Sequence, residues 1–384
     1  MTLVAVVGGG QLARMTAPAA TALGVGLRVL VESPTTSAAQ VVADAPVGSP
    51  QDPSAVARLL GEPLPAVLTF EHEHIPAAAF EAAAAAGVPA RPSAEALVHA
   101  QDKTVMRRRL TELGVPCPRW SPVADAAALA TFLEDVGGEA VVKTARGGYD
   151  GKGVRVVRSA HDVAEWFAAA RIGGPALLAE EKVPFVRELA VLLARRPSGE
   201  VRVWPVVETV QRDGVCAEVL APAPDLDPEV ERAAVQAARA VAEGLDVTGV
   251  LAVEMFEVAG GDRGRVLVNE LAMRPHNSGH WTIDAAVTSQ FEQHLRAVLD
   301  LPLGETAARA RWAVMANVLG SSLERLTDAL PAVLAADPAA KVHLYGKEVR
   351  PGRKLGHVTV TGEDLADVRA RAARAAAILR GDPA

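Results

Sequence analysis

Aromatic residues make up only 4% of this 384-residue chain, and cysteine occurs twice. With so few rings, alanine, valine and leucine must fill the core. Half of the residues are hydrophobic, and the length allows two or three domains. Cys117 and Cys216 show no metal-ligand spacing and read as reduced, buried thiols of a cytoplasmic protein. A long basic run is missing and the formal net charge is -7. Both argue against nucleic acid as the main partner, while leaving room for a local basic pocket that takes a phosphorylated small molecule. No uninterrupted apolar run is long enough to span a membrane. The N-terminus lacks the basic start of a signal peptide, so the residues from Leu3 are expected to form a first strand.

That strand, 3–7, is short, apolar and β-branched, as a parallel strand buried on both faces should be. Gly8-Gly9-Gly10-Gln11-Leu12 turns into a helix ending near Leu23, and a second strand at 27–31 ends at Glu32. Such a turn lets backbone N–H groups approach a phosphate at a helix N-terminus. Gly8-x-Gly10-x-x-Ala13 is a variant of the dinucleotide pattern and Glu32 stands near the place of its ribose-binding acid. A nicotinamide-binding domain is therefore a rival reading. A short strand at 41–44 and a helix at 55–60 are expected next. The strand at 66–70 ends in Glu71-His72-Glu73-His74. On a strand these acids and histidines would split between two faces, so a loop contributing to a substrate cleft is favoured over a metal site. An alanine-rich helix, 77–86, precedes Pro89 and Pro92, which mark a domain boundary. In the helix at 105–113, Arg107, Arg108 and Arg109 read as a solvated face, while Lys103 is kept as a candidate.

Ala140-Val-Val-Lys143 is a strand ending in a lysine, and Gly147-Gly148-Tyr149-Asp150-Gly151-Lys152-Gly153-Val154 follows as a glycine-rich hairpin. Its spacing is not the Walker pattern. It suits a flap that folds over a triphosphate and excludes water, with Lys143 on the phosphates. The strand at 176–180 runs into Glu181-Lys182-Val183, whose backbone could meet an adenine edge, and Glu188 could accept from ribose hydroxyls. The densest polar stretch is 269–282. Just past the apolar Val266-Leu267-Val268 it supplies Asn269, Glu270, Arg274, His276, Asn277, Ser278 and His280, broken by Pro275 and Gly279. Polar groups this dense beside a buried strand are costly unless something binds there. Glu254 ends a similar strand sixteen positions before Glu270. Two carboxylates at the ends of neighbouring antiparallel strands are candidates for Mg²⁺, which wants oxygen ligands and usually shares them with phosphates. Lys347, Arg350, Arg353 and Lys354, within eight residues between two strands, suit a phosphate monoester.

Taken together, Gly8-Gly-Gly-Gln-Leu12, Thr69-Phe-Glu71, Gln101-Asp-Lys103, Gly147 to Gly153, Asn269-Glu270, Arg274-Pro-His-Asn-Ser-Gly-His280, Ser289-Gln-Phe-Glu292 and Tyr345 to His357 resemble the N5-carboxyaminoimidazole ribonucleotide synthases, ATP-grasp enzymes of purine biosynthesis. They span almost the whole chain in the family's order. The resemblance implies an α/β and α+β protein: a Rossmann-like N-terminal domain (1–92), a central ATP-grasp domain (93–300) and a small C-terminal β-rich domain (301–384). It implies a cytoplasmic homodimer that uses ATP and Mg²⁺ to join bicarbonate to 5-aminoimidazole ribonucleotide through carboxyphosphate, giving ADP and phosphate. Carried over by position, Lys103 and Lys143 hold ATP phosphates, and Gly148, Tyr149, Asp150, Gly151, Lys152, Gly153 and Val154 form the lid. Glu180, Glu181, Lys182, Val183, Glu188 and Gln211 surround the nucleotide. Glu254 and Glu270, with Asn269, hold Mg²⁺. Arg274, His276 and Asn277 take bicarbonate and carboxyphosphate, with His276 a candidate base and Lys354 beside them. Gly10, Gln11, Tyr149, Asp150 and Arg155 face the ribonucleotide, and Lys347, Arg353 and Lys354 its phosphate. Ala13, Met273, Lys103 and Gln211 stand where the family commonly has glycine, proline, arginine and histidine.

Three rivals remain at this level. Another ATP-grasp ligase would share the ATP and metal residues but use a different acid and amine. A nicotinamide-dependent dehydrogenase would leave the hairpin and both metal acids unexplained. A non-catalytic nucleotide-binding relative would have no need of Lys143, Glu254, Glu270 and Arg274.

Overall fold

A computed structural model describes residues 1–148, 153–259 and 265–382. Tyr149, Asp150, Gly151 and Lys152 lie outside the described residues.

The N-terminal part is a parallel sheet in the order β2-β1-β3, from β1 (Leu3–Val7), β2 (Gly26–Leu30) and β3 (Val67–Phe70). All five residues of β1 are buried, the pattern of a parallel strand covered on both faces. The helices are α1 (Gln11–Ala22), α2 (Pro53–Leu59) and α3 (Ala77–Ala85). The strand expected at 41–44 is a loop that contributes one parallel bridge, Asp44 to Arg28. Its path is set instead by an ion pair between the same two side chains at 2.7 Å.

α4 (Ala94–Gln101) and α5 (Lys103–Glu112) meet at Asp102, whose side chain accepts from Thr104 and Val105 N–H and so caps α5. Gly114, at φ +67°, takes the left-handed position that ends the helix. A small antiparallel sheet follows, ordered β4-β7-β5-β6, from β4 (Trp120–Pro122), β5 (Ala140–Thr144), β6 (Val154–Val157) and β7 (Leu177–Glu181). α6 (Ala126–Asp135) and α7 (Ala164–Arg171) bury Phe132 and Phe167 against one of its faces.

The large sheet has nine strands. Its path is β13-β12-β8-β10-β11-β14-β16-β15, with β9 on β8. The ranges are β8 (Phe185–Arg195), β9 (Val201–Val203), β10 (Val207–Arg212), β11 (Val215–Ala221), β12 (Gly249–Val258) and β13 (Val266–Ala272). They continue with β14 (Trp312–Leu319), β15 (Lys341–Leu344) and β16 (Lys354–Gly362). Alternate residues of β8 serve opposite cores. Leu189, Val191 and Leu193 pack with α8 (Pro228–Gly244), while Ala190, Leu192 and Ala194 pack with the segment carrying α9 (Thr282–Ala285) and α10 (Gln290–Val298). Leu295 and Val298 of α10 also reach the N-terminal sheet, packing with Val4, Val6 and Val29. β14 pairs with β11, so the C-terminal strands extend the central sheet instead of forming one of their own. α11 (Leu330–Ala336) and α12 (Leu365–Arg380) cover them.

Candidate active site

The opposed carboxylates come from β12 and β13, where Glu254 lies directly across from Glu270. Both sit inside strands and not at their ends. The register slips immediately afterwards, Met255 facing Val268, so Asn269 is the extra residue of a bulge. A bulge re-aims side chains, and this one brings Asn269 as well as Glu270 toward the cleft. Asn269 Oδ1 accepts from Lys143 Nζ at 3.1 Å, and Glu270 Oε1 lies 3.4 Å from Lys103 Nζ. The carboxyl of Glu254 is raised above its ordinary range by its sunken position and by the Glu270 and Glu188 carboxylates, with Lys354 and Arg274 acting in the opposite sense. Glu188 is raised by burial, partly offset by a hydrogen bond from Gln211. Carboxylates crowded enough to resist ionising together are what a divalent cation relieves, and the oxygen donors fit Mg²⁺.

Beneath them lies a buried ionic group. Glu180 Oε1 is 2.7 Å from Arg107 Nε, and Oε2 is 2.7 Å from Lys143 Nζ. Burial alone would raise the Glu180 carboxyl, but these two cations hold it down at about 2. Arg107 is fully buried and also donates to the carbonyls of Val268 and Asn269 at 2.9 and 2.7 Å. The solvated-face reading therefore fails for Arg107, which pins the strand that carries the acids. A signal was present: Arg107 shares a helix face with Leu110, three positions on. Of the expected nucleotide residues, Glu181 is held by Arg119 N–H and Nε at 2.8 and 3.1 Å, Lys182 pairs with Glu139 at 2.8 Å, and Val183 is buried.

The 274–280 segment crosses from β13 to α9. Arg274 Nε is 2.9 Å from Glu73 Oε1, which ties it to the loop after β3. His276 Nε2 stands 3.4 Å from Glu254, and its Nδ1 accepts from Ser278 N at 3.3 Å, with Ser278 Oγ at 2.9 Å. Burial, then Arg274, Lys354 and His280, push its pKa well below the ordinary histidine range, so the ring is neutral. With Nδ1 accepting, the proton of that neutral ring belongs on Nε2. Asn277 is buried with the Cys216 thiol beside it, and neither amide atom makes a well-formed hydrogen bond among the described residues.

The C-terminal turn closes the cleft from the other side. Ser37 Oγ donates to the carbonyl of Tyr345, Gln40 Nε2 donates to that of Gly346 at 2.7 Å, and Lys347 Nζ donates to Gln11 Oε1. Lys354, at the start of β16, bears electrostatically on Glu254, His276 and His280. Arg353 donates to the carbonyl of Glu348 at 3.2 Å. Gln11 therefore meets Lys347, and the adjacent Gly10 meets the Glu71 loop. The Gly10 N–H and that of Ala13 both donate to the Glu71 carboxylate, which occupies the helix end where a pyrophosphate would sit in a dinucleotide-binding domain. The loop reading of 71–74 is thus the better one, and it supplies two residues, Glu71 and Glu73, that the single-residue arguments left without roles.

Four expected residues remain. Gly148, Gly153 and Val154 flank the residues outside the description, with Gly153 O accepting from Thr144 N at 2.9 Å. Arg155 is not brought into the cleft. It lies across from Val142, whose side chain is in the core under α6 and α7, whereas Lys143 faces Val154 and the cleft. Strand alternation thus sends Arg155 to α7, where it pairs with Glu165 at 2.6 Å and covers the Trp166 ring at 4.8 Å.

A small antiparallel sheet beside a large one, with Lys103 and Lys143 meeting Glu270 and Asn269 next to Glu254, defines an ATP-grasp enzyme. Residues 108–291 match the ATP-grasp domain, residues 1–101 the ribonucleotide synthetase preATP-grasp domain, and residues 313–371 the phosphoribosylaminoimidazole carboxylase C-terminal domain. The chain belongs to the N5-carboxyaminoimidazole ribonucleotide synthase family. It is 52% identical to that enzyme of Mycobacterium tuberculosis over 377 residues, covering 97% of this chain and 87% of the relative. The crystal structure of the Thermus thermophilus synthetase is 39% identical, with a TM-score of 0.85 and 97% of each chain covered. The Aspergillus clavatus synthase, solved with ADP and 5-aminoimidazole ribonucleotide, is 31% identical, with a TM-score of 0.86 and 98% of each chain covered.

Proposed function

We propose that this chain is an ATP- and Mg²⁺-dependent carbon–nitrogen ligase that carboxylates 5-aminoimidazole ribonucleotide with bicarbonate in purine biosynthesis, forming N5-carboxyaminoimidazole ribonucleotide, ADP and phosphate. The observation that carries it is the convergence on Glu254 of the Glu270 carboxylate, His276 of the bicarbonate segment and the charge of Lys354. ATP phosphates, bicarbonate and the ribonucleotide then share one cleft.

Lys103 and Lys143 reach the ATP phosphates, with Gly148, Gly153 and Val154 at the roots of the flap above them. Glu181 to Val183, Glu188 and Gln211 border the nucleoside, and Glu180 acts through Lys143. Glu254, Glu270 and Asn269 hold Mg²⁺, which when bound neutralises charge on the transferring phosphoryl group. Arg274, Asn277 and the Nε2–H of His276 orient bicarbonate. One bicarbonate oxygen attacks the γ-phosphorus, its bond to ADP breaks, and carboxyphosphate forms. The ribonucleotide amine then attacks the carboxyl carbon and phosphate departs. The proton pattern of His276 favours a donor that holds the carboxyl group over a base, and the departing phosphate takes the amine proton. Lys347, Arg353 and Lys354 bind the ribonucleotide phosphate, with Gly10 and Gln11 beside it. Closure is needed because carboxyphosphate hydrolyses readily. The domain division at residues 92 and 300, the homodimer and a cytoplasmic location belong to the same reading. Among the described residues no helix is long and apolar enough to cross a membrane.

The test is ADP release with Mg·ATP, omitting bicarbonate or the ribonucleotide in turn. Release should require bicarbonate and be stimulated by the ribonucleotide. Cleavage that needs some other acid or amine would keep the ATP-grasp core and remove this substrate assignment.

A further inference from the structure

Gln290 opens α10, is completely buried, and touches none of the substrates placed above. Its Oε1 accepts from the backbone N–H of His276 at 2.7 Å, and its Nε2 donates to the carbonyl of the same residue at 2.8 Å. A peptide N–H only donates and a peptide carbonyl only accepts, so the amide has one possible orientation. That orientation makes Nε2 the donor to His280 Nδ1 at 2.8 Å as well. His280 Nδ1 therefore carries no proton, and the neutral ring has its proton on Nε2. The ring is fully buried and stacks on Phe291 at 5.8 Å. Burial and the nearby Lys354 lower its pKa to about 3, which keeps it neutral near pH 7.

The clamp is itself held in place. Gln290 N donates to Thr282 Oγ1 at 2.9 Å, and that hydroxyl donates to the carbonyl of Gly279 at 2.6 Å. Ser289 Oγ caps the helix by accepting from Glu292 N at 3.1 Å. Gly279 packs so closely that a Cβ there would collide with Gln290 Oε1 and Leu192 Cδ2. An apolar side chain of equal volume would leave the His276 N–H buried and unpaired and its carbonyl with only the Gly279 N–H at 2.9 Å, so the position is not simple core filling.

We propose that Gln290 is a positioning residue for carboxylation, gripping the His276 backbone and one nitrogen of His280 so that the 274–277 segment is set for bicarbonate and carboxyphosphate. This rests on the bicarbonate assignment above. Two variants test it. Gln290→Glu keeps the volume and the acceptor for His276 N, but has no donor for His276 O or His280 Nδ1. Gly279→Ala leaves the amide intact and pushes it aside. Both should lower kcat/KM for bicarbonate by about ten- to a hundredfold, the scale of a misplacement of about 1 Å. Both should also lower the yield of carboxylated product per ADP, while KM for ATP moves by no more than about twofold. Parallel losses in every parameter with unchanged coupling are what a purely structural role gives, and they overturn the proposal. In ¹⁵N-histidine-labelled wild-type protein, His280 should show Nδ1 unprotonated and Nε2 protonated at pH 7. An Nδ1–H ring overturns the clamp even if neither variant folds. If wild-type ADP release does not need bicarbonate, the functional reading falls and the bicarbonate role with it, while the tautomer still decides whether the clamp exists.

Discussion

Replacing Glu180 by glutamine would test how the buried ionic group supports both fold and site. The side chain is only 3% exposed and is shared by Arg107 and Lys143. Its fall from 4.5 to about 2 corresponds to about 3 kcal/mol of folding free energy, at about 1.36 kcal/mol per pH unit. Removing one partner of a buried ion pair costs about 3–5 kcal/mol in general, which agrees. Glutamine can still accept from one cation, but it turns an NH₂ group toward the other. Glu180→Gln should therefore lose about 3 kcal/mol at pH 7. The pH dependence has a definite sign. A carboxyl depressed by folding contributes fully above its ordinary range near 4.5, and the contribution disappears as pH falls toward 2. The gap between wild type and variant should be constant from neutral pH to about 5 and narrow below 4.5. Urea titrations at several pH values, followed by tryptophan fluorescence, would measure it, because Trp120 lies directly across from Glu180 on β4. KM for ATP should rise too, since Lys143 loses its 2.7 Å partner. A gap below about 1 kcal/mol at pH 7, the scale of an exposed pair, or one that persists unchanged to pH 3, would refute the linkage argument.

Three further substitutions separate the proposed roles. Glu270→Gln should cut bicarbonate-dependent ADP release by about a hundredfold or more. Its melting temperature should stay near wild type, because the Glu270 side chain is half exposed. Undiminished ADP release would remove Glu270 from the metal site. Lys354→Ala should raise KM for both ribonucleotide and bicarbonate, because its charge acts on Glu254 and His276. If neither constant moves, the residue has no part in either site. Arg155→Ala should cost at most about 1 kcal/mol of stability, as an exposed pair does, and leave KM for the ribonucleotide alone. A large increase there would put Arg155 back in the cleft, where the family resemblance places it.

The strand-to-helix rhythm and the clustered polar stretch were legible from residue types alone, because burial, glycine and proline leave local marks. Glu254 and Glu270 were legible as a pair, but not their alignment: that depends on a bulge at Asn269, and one residue of register decides which side chains face the cleft. The same limit explains Arg155. The family resemblance places it against the ribonucleotide, and only its pairing with Val142 shows that it faces α7. Arg107 was missed for a different reason. Its charge suggested solvent, while its partners come from positions 180, 268 and 269, too distant in sequence to show in a local pattern. The pairing of the C-terminal strands with β11 lies beyond a local pattern too, since it bridges almost a hundred residues.

The glycine turn at 8–10 carries this reasoning furthest. Its pattern is close to a dinucleotide fingerprint, and the backbone donors that such a fingerprint provides are indeed present at the start of α1. What they meet is a carboxylate of the chain itself, delivered by Glu71 from the end of β3. The Glu71 carboxyl is raised by burial, with the Ala13 and Gly10 N–H groups acting against that rise. Gly8 and Gly10 are required for the approach, because a Cβ at either would strike the Glu71 side chain, and Gly8 also sits at φ +105°. The helix end that accepts a pyrophosphate in one protein is thus used here to fix a loop whose next acid, Glu73, holds Arg274 at 2.9 Å. An anion site filled from within becomes a strut between the N-terminal sheet and the bicarbonate segment. The glycines are demanded by the carboxylate approach whether or not any nucleotide ever reaches them.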